Sequence, residues 1–381
     1  MDPANANEPR LLCGGTAAYA RMCERIEQAR VAVDLETYVY ADDEVGALFR
    51  DVLVRAARRG VQVRVLVDAF GSEALSDDFF APLLAAGGEF RRFNPRPLLR
   101  LSFRNHRKLL RCDDVAFVGG LNVASEYDGD GIERGWRDFA LEVDGAAASQ
   151  LAAGFERMWQ LAPFGRAQVR EFWRRVPAAI PRDGAPTANP RVRVLLSGPG
   201  CRTAELRRQL ALDIRQARHC CAWAAYLLIS RRLLRAMAAA ARVGRMELLM
   251  GRRSDVAVSR WASERQFGSL LRRRVRLFLY EPQIVHAKVV VADDVVYVGS
   301  ANLDIRSLRI NYELSLRIES PALAARLRGE FAADCRRAEA LDLAVWKRGR
   351  RWWHALRPYL AWLLLARVDP FVADRNFRSL L

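Results

Sequence analysis

The chain has 381 residues, enough for two ordinary domains, and 51% of them are apolar, which argues against disorder as the organising state. A formal charge of +17 predicts attraction to something anionic, whether nucleic acid, an acidic membrane surface or a phosphate-bearing substrate. The seven cysteines include no CxxC pair and no Cys/His cluster, which speaks against a disulfide framework or zinc site and fits a reducing compartment.

The start, "MDPANANEPR", has no charged-then-apolar leader pattern. From "LLCGGTAAYARMCERIEQARVAVDLETYVY" we expect a strand end, a glycine turn, a helix and a buried strand. A helix and strand follow in "VGALFRDVLVRAARRGVQVRVLVDAF", and a second such pair ends at "GGEFRRFNP". Basic "RPLLRLSFRNHRK" then leads into "NHRKLLRCDDVAFVGGLN", Asn105 to Asn122. After the loop "ASEYDGDGIERGWRD" comes the alternating strand "WRDFALEV".

The segment from Pro177 to Pro190 has prolines, an Asp-Gly pair and no apolar periodicity, and reads as a linker. Beyond it the same order of elements recurs and reaches "VHAKVVVADDVVYVGSAN", Val285 to Asn302, then "INYELSLRI". Strands alternating with helices predict an α/β fold with a mixed sheet, and a period of about 180 residues means a duplicated domain rather than a solenoid. The expected division is a first domain over 1–175, a linker over 176–190, a second domain over 191–340 and a C-terminal segment over 341–381.

That last segment contains "WKRGRRWWHALRPYLAWLLLARV", where arginines and tryptophans flank a short apolar run and Pro358 is expected to kink the chain. It suits an interfacial helix lying in the headgroup layer; the alternative is a terminal helix packed on the domain. Its longest apolar run, "YLAWLLLA", falls far below the roughly 18 residues that span a bilayer.

Two of only four histidines sit in the repeated segments. Overlaid, His106 matches His286, Lys108 matches Lys288, Asp113 matches Asp293 and Asn122 matches Asn302, while Gly120 stands where the second copy has Ser300. Strand alternation puts the histidine and lysine of each HxK on one face. An antiparallel return after the Asp-Asp turn brings Asn122, or Ser300 and Asn302, back toward that end. Each half then offers an imidazole, an ammonium and an amide.

This set suits displacement at a phosphoryl ester. A largely neutral imidazole attacks phosphorus, and lysine and asparagine hold the non-bridging oxygens. One half lacks an acid for the leaving alkoxide, but two halves facing across a pseudo-two-fold axis supply it: one histidine attacks and the other donates the proton. No metal or other cofactor is required. Asp113 and Asp293, near the hairpin turns, belong to the motif in a supporting structural role. An imidazole nucleophile also wants a carboxylate to fix its tautomer, and the acids opening the next strands, Asp138 and Glu313, are the candidates.

These residues resemble the signature of the phospholipase D superfamily, a doubled HxKxxxxD followed by Gly-(Gly/Ser)-x-Asn. The resemblance implies two such domains sharing one active site, a phosphohistidine intermediate, and His106 as nucleophile with His286 as acid/base, although the residues by themselves do not decide that assignment. "LETYVYADDEVGALF", "AARRGVQVRVLVDAFGS" and "VGSANLDIRSLRINYE" are similar to bacterial cardiolipin synthases, which implies transfer of a phosphatidyl group between phospholipids. The implied substrates are anionic phospholipid, namely phosphatidylglycerol with phosphatidylethanolamine as an option, met by a peripheral protein on the cytoplasmic side of the membrane without an obligate protein partner. Many members begin with transmembrane helices, which this chain does not show, and the loop after Asn122 is longer than its second-half counterpart. Hydrolysis of phospholipid is the alternative, and a nuclease, favoured only by net charge, is the weaker one.

Overall fold

Each half of the chain threads its strands in one order, because each hides the same apolar pattern. In this computed structural model, which describes residues 8–94, 103–162, 191–199, 204–348, 356–370 and 372–373, the first half runs β1 (Arg10–Cys13), α1 (Gly15–Gln28), β2 (Ala32–Thr37), α2 (Glu44–Arg58), β3 (Gln62–Asp68), α3 (Ala81–Ala85) and β4 (Glu89–Phe93). It continues through β5 (Leu109–Cys112), β6 (Val115–Gly119), β7 (Phe139–Asp144) and α4 (Gly145–Leu161). The strands form a seven-stranded sheet ordered β1-β7-β6-β5-β2-β3-β4, with β2, β3 and β4 parallel and the others antiparallel.

The second half runs β8 (Val192–Ser197), α5 (Ala204–Gln216), β9 (His219–Ala224), β10 (Leu227–Leu228), α6 (Arg231–Val243), β11 (Arg245–Gly251), α7 (Ala257–Leu271) and β12 (Arg276–Tyr280). Then come β13 (Lys288–Ala292), β14 (Val295–Gly299), β15 (Leu303–Asp304), β16 (Glu313–Glu319), α8 (Pro321–Cys335), β17 (Ala338–Ala340), α9 (Leu343–Arg348) and α10 (Leu356–Leu363). Its eight-stranded sheet, β17-β12-β11-β9-β13-β14-β16-β8, repeats the first order with one strand added at the edge. The duplicated α/β fold expected from the sequence is therefore present. The 176–190 linker lies outside the described residues.

Helix α2 shows how the sequence sets the layers. Asp43 caps it by accepting the Gly46 amide at 2.9 Å. Val45, Phe49, Val52, Leu53 and Ala56, at helical spacing, are buried on the outer face of the first sheet. On their inner faces the two sheets share one apolar core, in which Phe139 of β7 meets Trp223 of β9 edge-on with ring centroids 5.0 Å apart. This common core fixes the two halves against each other and leaves their HxK ends adjacent.

Two backbone bridges cross the boundary there. The Asn105 segment pairs with Tyr312 and the Val285 segment with Arg137. His106 donates its amide to Tyr312 O at 2.9 Å, and His286 donates its amide to Arg137 O at the same distance. Each histidine segment is thus zipped to the strand entry that carries the other half's acid. At the far end, Asp113 and Asp293 take φ of 53° and 50° in two-residue hairpin turns, a left-handed conformation that aspartate tolerates better than most residues.

Among the described residues, no helix is long and apolar enough to cross a membrane. Pro358 lies in α10, and the stretch before it, 349–355, lies outside the described residues.

Candidate active site

His106 and Lys108 lie just before β5 rather than within it, whereas Lys288 is the first residue of β13. The bridges to Tyr312 and Arg137, rather than strand pairing within the half, therefore hold the two histidines. All four HxK side chains are buried together: Lys288 is among the charges acting on His106, and Lys108 among those acting on His286.

The carboxylate partners are exchanged between halves. His106 Nδ1 lies 3.1 Å from both carboxylate oxygens of Glu313 and 3.1 Å from Ser300 O. His286 Nδ1 lies 2.8 Å from Asp138 Oδ2. Glu313 and Asp138 are themselves fully buried. With Nδ1–H directed at Glu313, the His106 ring carries its lone pair on Nε2, whereas His286 Nδ1 lies between Asp138 and Lys288 Nζ, the latter at 2.9 Å.

The Gly120/Ser300 difference follows from these acids. A Cβ on Gly120 would sit 2.4 Å from both oxygens of Asp138, so only glycine admits that carboxylate. In the second half Ser300 Oγ instead donates to Glu313 Oε2 and accepts the Leu314 amide at 3.0 Å, locking the longer acid in place.

Electrostatics favour neutral imidazoles and weakened ammonium groups. Burial pushes the His106 ring down to about 4, against the pull of Glu313, and holds His286 well below the ordinary histidine range, with Lys288 and Lys108 adding to the effect. Lys108 falls to about 7 through burial and the neighbouring Lys288 charge, and Lys288 falls to about 8, again chiefly through burial. Burial raises Asp138 to about 6. It also works against ionised Glu313, but His106, Ser300 and Lys108 outweigh it and keep that carboxylate below its usual range. The site thus pairs two neutral imidazoles with two buried lysines whose charge is marginal near neutrality, and the negative charge of a phosphate diester would favour the protonated form of both lysines.

Asn122 and Asn302 are buried beside this cleft in different ways. Asn122 accepts the Val39 amide at 3.0 Å and donates to Tyr127 Oη at 2.6 Å. Asn302 Oδ1 has no partner among the described residues. Asp113 and Asp293 stand apart: the first accepts from the backbone amides of Arg30, Val31 and Ala32 at 2.8–2.9 Å, the second from those of Arg218 and His219. Their carboxylates tie each hairpin to the end of the neighbouring strand.

Three aromatic residues at the site have no counterpart in the sequence reading. Tyr38 packs edge-on to His106, with centroids 4.9 Å apart. Tyr127 and Trp136 pack on His286, at 5.0 and 5.4 Å, and Tyr127 Oη lies 3.3 Å from His286 Nε2. Tyr127 and Trp136 both come from the longer loop after Asn122, so its extra length was the available signal.

A family model described as "Cardiolipin synthase, PLD-like domain" matches residues 22–159 and 210–335, once per half. The chain belongs to this phospholipase D-like cardiolipin synthase family. It is 32% identical over 337 residues to the major cardiolipin synthase of Bacillus subtilis, covering 86% of this chain and 69% of that relative. Over 378 residues it is 32% identical to cardiolipin synthase B of Salmonella typhimurium, covering 96% of this chain and 89% of the relative. Its fold is that of the phosphatidylserine synthase crystal structure from Haemophilus influenzae, with a TM-score of 0.73 at 15% identity over 99% of this chain and 96% of that one. Within this cardiolipin synthase family member, the paired motifs of both matched stretches meet in the single cleft described above.

Proposed function

We propose that this chain, a phospholipid transphosphatidylase by family, makes cardiolipin at the membrane through a phosphohistidine on His106. The observation that carries the reading is the paired imidazoles in one buried cleft, each oriented by the opposite half's carboxylate. The asymmetry at the two Nε2 atoms supports the choice of nucleophile. His106 Nε2 has no hydrogen-bond partner among the described residues, whereas His286 Nε2 meets Tyr127 Oη at 3.3 Å and Lys288 Nζ at 3.1 Å.

In the first displacement His106 Nε2 forms a bond to phosphorus and the bond to the headgroup oxygen breaks. The bound phosphodiester anion and Asp138 favour the imidazolium form of His286; the leaving oxygen keeps the electron pair and takes the Nε2 proton of that imidazolium, which becomes neutral. Lys108 and Lys288 hold the non-bridging oxygens, with Asn122 and Asn302 lining the same place. In the second displacement the hydroxyl of a phosphatidylglycerol acceptor gives its proton to His286 and attacks phosphorus, and the N–P bond breaks. With phosphatidylglycerol as donor the released alcohol is glycerol; with phosphatidylethanolamine it is ethanolamine. Work on the cytoplasmic face of the membrane fits this reading.

The test is incubation of the purified protein with phosphatidylglycerol vesicles, with and without phosphatidylethanolamine, followed by lipid separation. Cardiolipin with one released headgroup alcohol per turnover supports the proposal. Phosphatidic acid alone replaces it with hydrolysis, and inert lipid with cleaved oligonucleotide overturns it in favour of a nuclease.

A further inference from the structure

A helix packed on a domain normally hides its apolar stripe and shows polar residues outward. Helix α10 and the π-helical turn that continues it, Leu364–Val368, do otherwise. Their inner side is already satisfied: Ala361 is buried against Leu228 and Ala262, with Trp362, Leu365 and Ala366 packed around them. The outer side nevertheless carries Leu356, Tyr359, Leu360, Leu363, Leu364 and Val368, all exposed, with Leu360 at 54% and Leu364 at 49%. Their spacing of three and four residues puts them on one face. Trp261 and Val256 of the adjoining α7 region are exposed as well. Single exposed leucines are ordinary, but a continuous stripe of this length is not.

The location narrows what covers it. The helix is seated on the segments that leave the cleft: β10 follows Tyr226, β15 follows Asn302, and Ile305 joins the small apolar cluster beneath α10. Arg306 forms an ion pair with Asp369 at the end of the same helical stretch, and Arg306 also acts on Tyr38, the ring that packs on His106. The stripe therefore borders the segments that lead away from the histidine cluster. Exposed Arg357 lies within it, and in the sequence the basic run "WKRGRR", 346–351, precedes α10 by four residues.

We propose that the outer face of α10 and the Leu364–Val368 turn is the surface by which this protein docks onto an anionic lipid bilayer, with the cleft mouth brought against the headgroups. Apolar side chains enter the headgroup boundary and neighbouring arginines meet anionic lipid, the combination that binds monotopic helices. The proposal deepens the reading of the chain as a lipid enzyme but is tested independently of turnover.

The full-length chain is sedimented with phosphatidylglycerol vesicles and with phosphatidylcholine vesicles, as wild type and as the exposed-site variant Leu360→Glu/Leu364→Glu. The expected result is preference of the wild type for phosphatidylglycerol and a loss of at least tenfold in vesicle affinity for the variant. The variant keeps wild-type release of p-nitrophenol from a short-chain, monomeric p-nitrophenyl phosphodiester, which shows that the cleft is intact. Unchanged vesicle binding by the variant overturns the proposal. So does a wild-type dimer in light scattering that the variant disrupts while vesicle binding persists, because the stripe would then be a contact between two copies.

Discussion

Glu313 holds Nδ1 of His106 at 3.1 Å although 207 residues separate them in the chain. Asp138 holds His286 in the same crossed sense, 148 residues away. Each acid therefore acts on the imidazole of the other repeat. Glu313→Gln and Asp138→Asn keep the shape but lose the charge that fixes the Nδ1–H tautomer, and each is expected to lower kcat by roughly a hundredfold or more, in line with general acid–base contributions. Cardiolipin formation by each variant, with circular dichroism to confirm folding, checks this; near-wild-type turnover in either would remove that acid from the mechanism.

The roles of the two histidines separate on a donor whose leaving group needs no proton. With a phosphatidyl p-nitrophenol donor, His286→Ala is expected to release one equivalent of p-nitrophenol as a burst and then stall with a phosphatidyl group on His106. His106→Ala is expected to show no burst. The reverse pattern would transfer the nucleophile role to His286.

The pH profile follows from the lysines. Burial brings Lys108 down to about 7 and Lys288 to about 8, so raising the pH through this range strips the charges that hold the phosphoryl oxygens. The kcat/KM profile is expected to fall on its alkaline side between about 7 and 8, well before a solvated lysine would titrate. On the acid side His106, pushed down to about 4 by burial, stays neutral until far below the usual histidine range. An alkaline limb near 10 would contradict the buried-lysine assignment.

Tyr127 tests the loop that is longer in the first half than in the second. Its hydroxyl accepts from Asn122 at 2.6 Å and meets His286 Nε2 at 3.3 Å. Tyr127→Phe is expected to lose about tenfold in kcat while keeping the fold, since ring packing on Trp136 and His286 survives. A shift in the pH–rate profile should accompany that loss; an unchanged profile with altered melting would make the residue structural only.

Asp113 is expected to answer in stability and not in turnover. Burial works against its charge, but the amides of Ala32, Arg30 and Val31 outweigh that and lower its pKa. Asp113→Ala should cost about 1–3 kcal/mol, measured by urea unfolding at pH 7, with kcat nearly unchanged. Because the folded-state pKa is depressed, this stabilisation is complete above the ordinary aspartate range. The wild-type advantage should therefore shrink as pH falls through the acid range.

Much of this site was legible because it is written twice. Duplication aligned His106 with His286 and Lys108 with Lys288, and hairpin geometry predicted the return of Asn122 and Asn302. The two strand-opening acids were visible by position, but not which imidazole each would serve. That depends on the shared core of Phe139 and Trp223, a packing relation between distant segments that no local pattern encodes. Tyr38, Tyr127 and Trp136 carry no motif that marks them in the sequence, for the same reason. The left-handed turns at Asp113 and Asp293 explain why the last motif residue sits away from the chemistry.

The crossed pairing also constrains how such a chain evolves. A repeat cut from its sister would carry an imidazole with no acid and an acid with no imidazole, so neither copy is a working ancestor by itself in its present form. Drift in one repeat, such as a side chain at Gly120 that crowds Asp138, would be felt first at the opposite repeat's histidine. Selection must therefore act on the two copies jointly, even where they have diverged as far as glycine against serine.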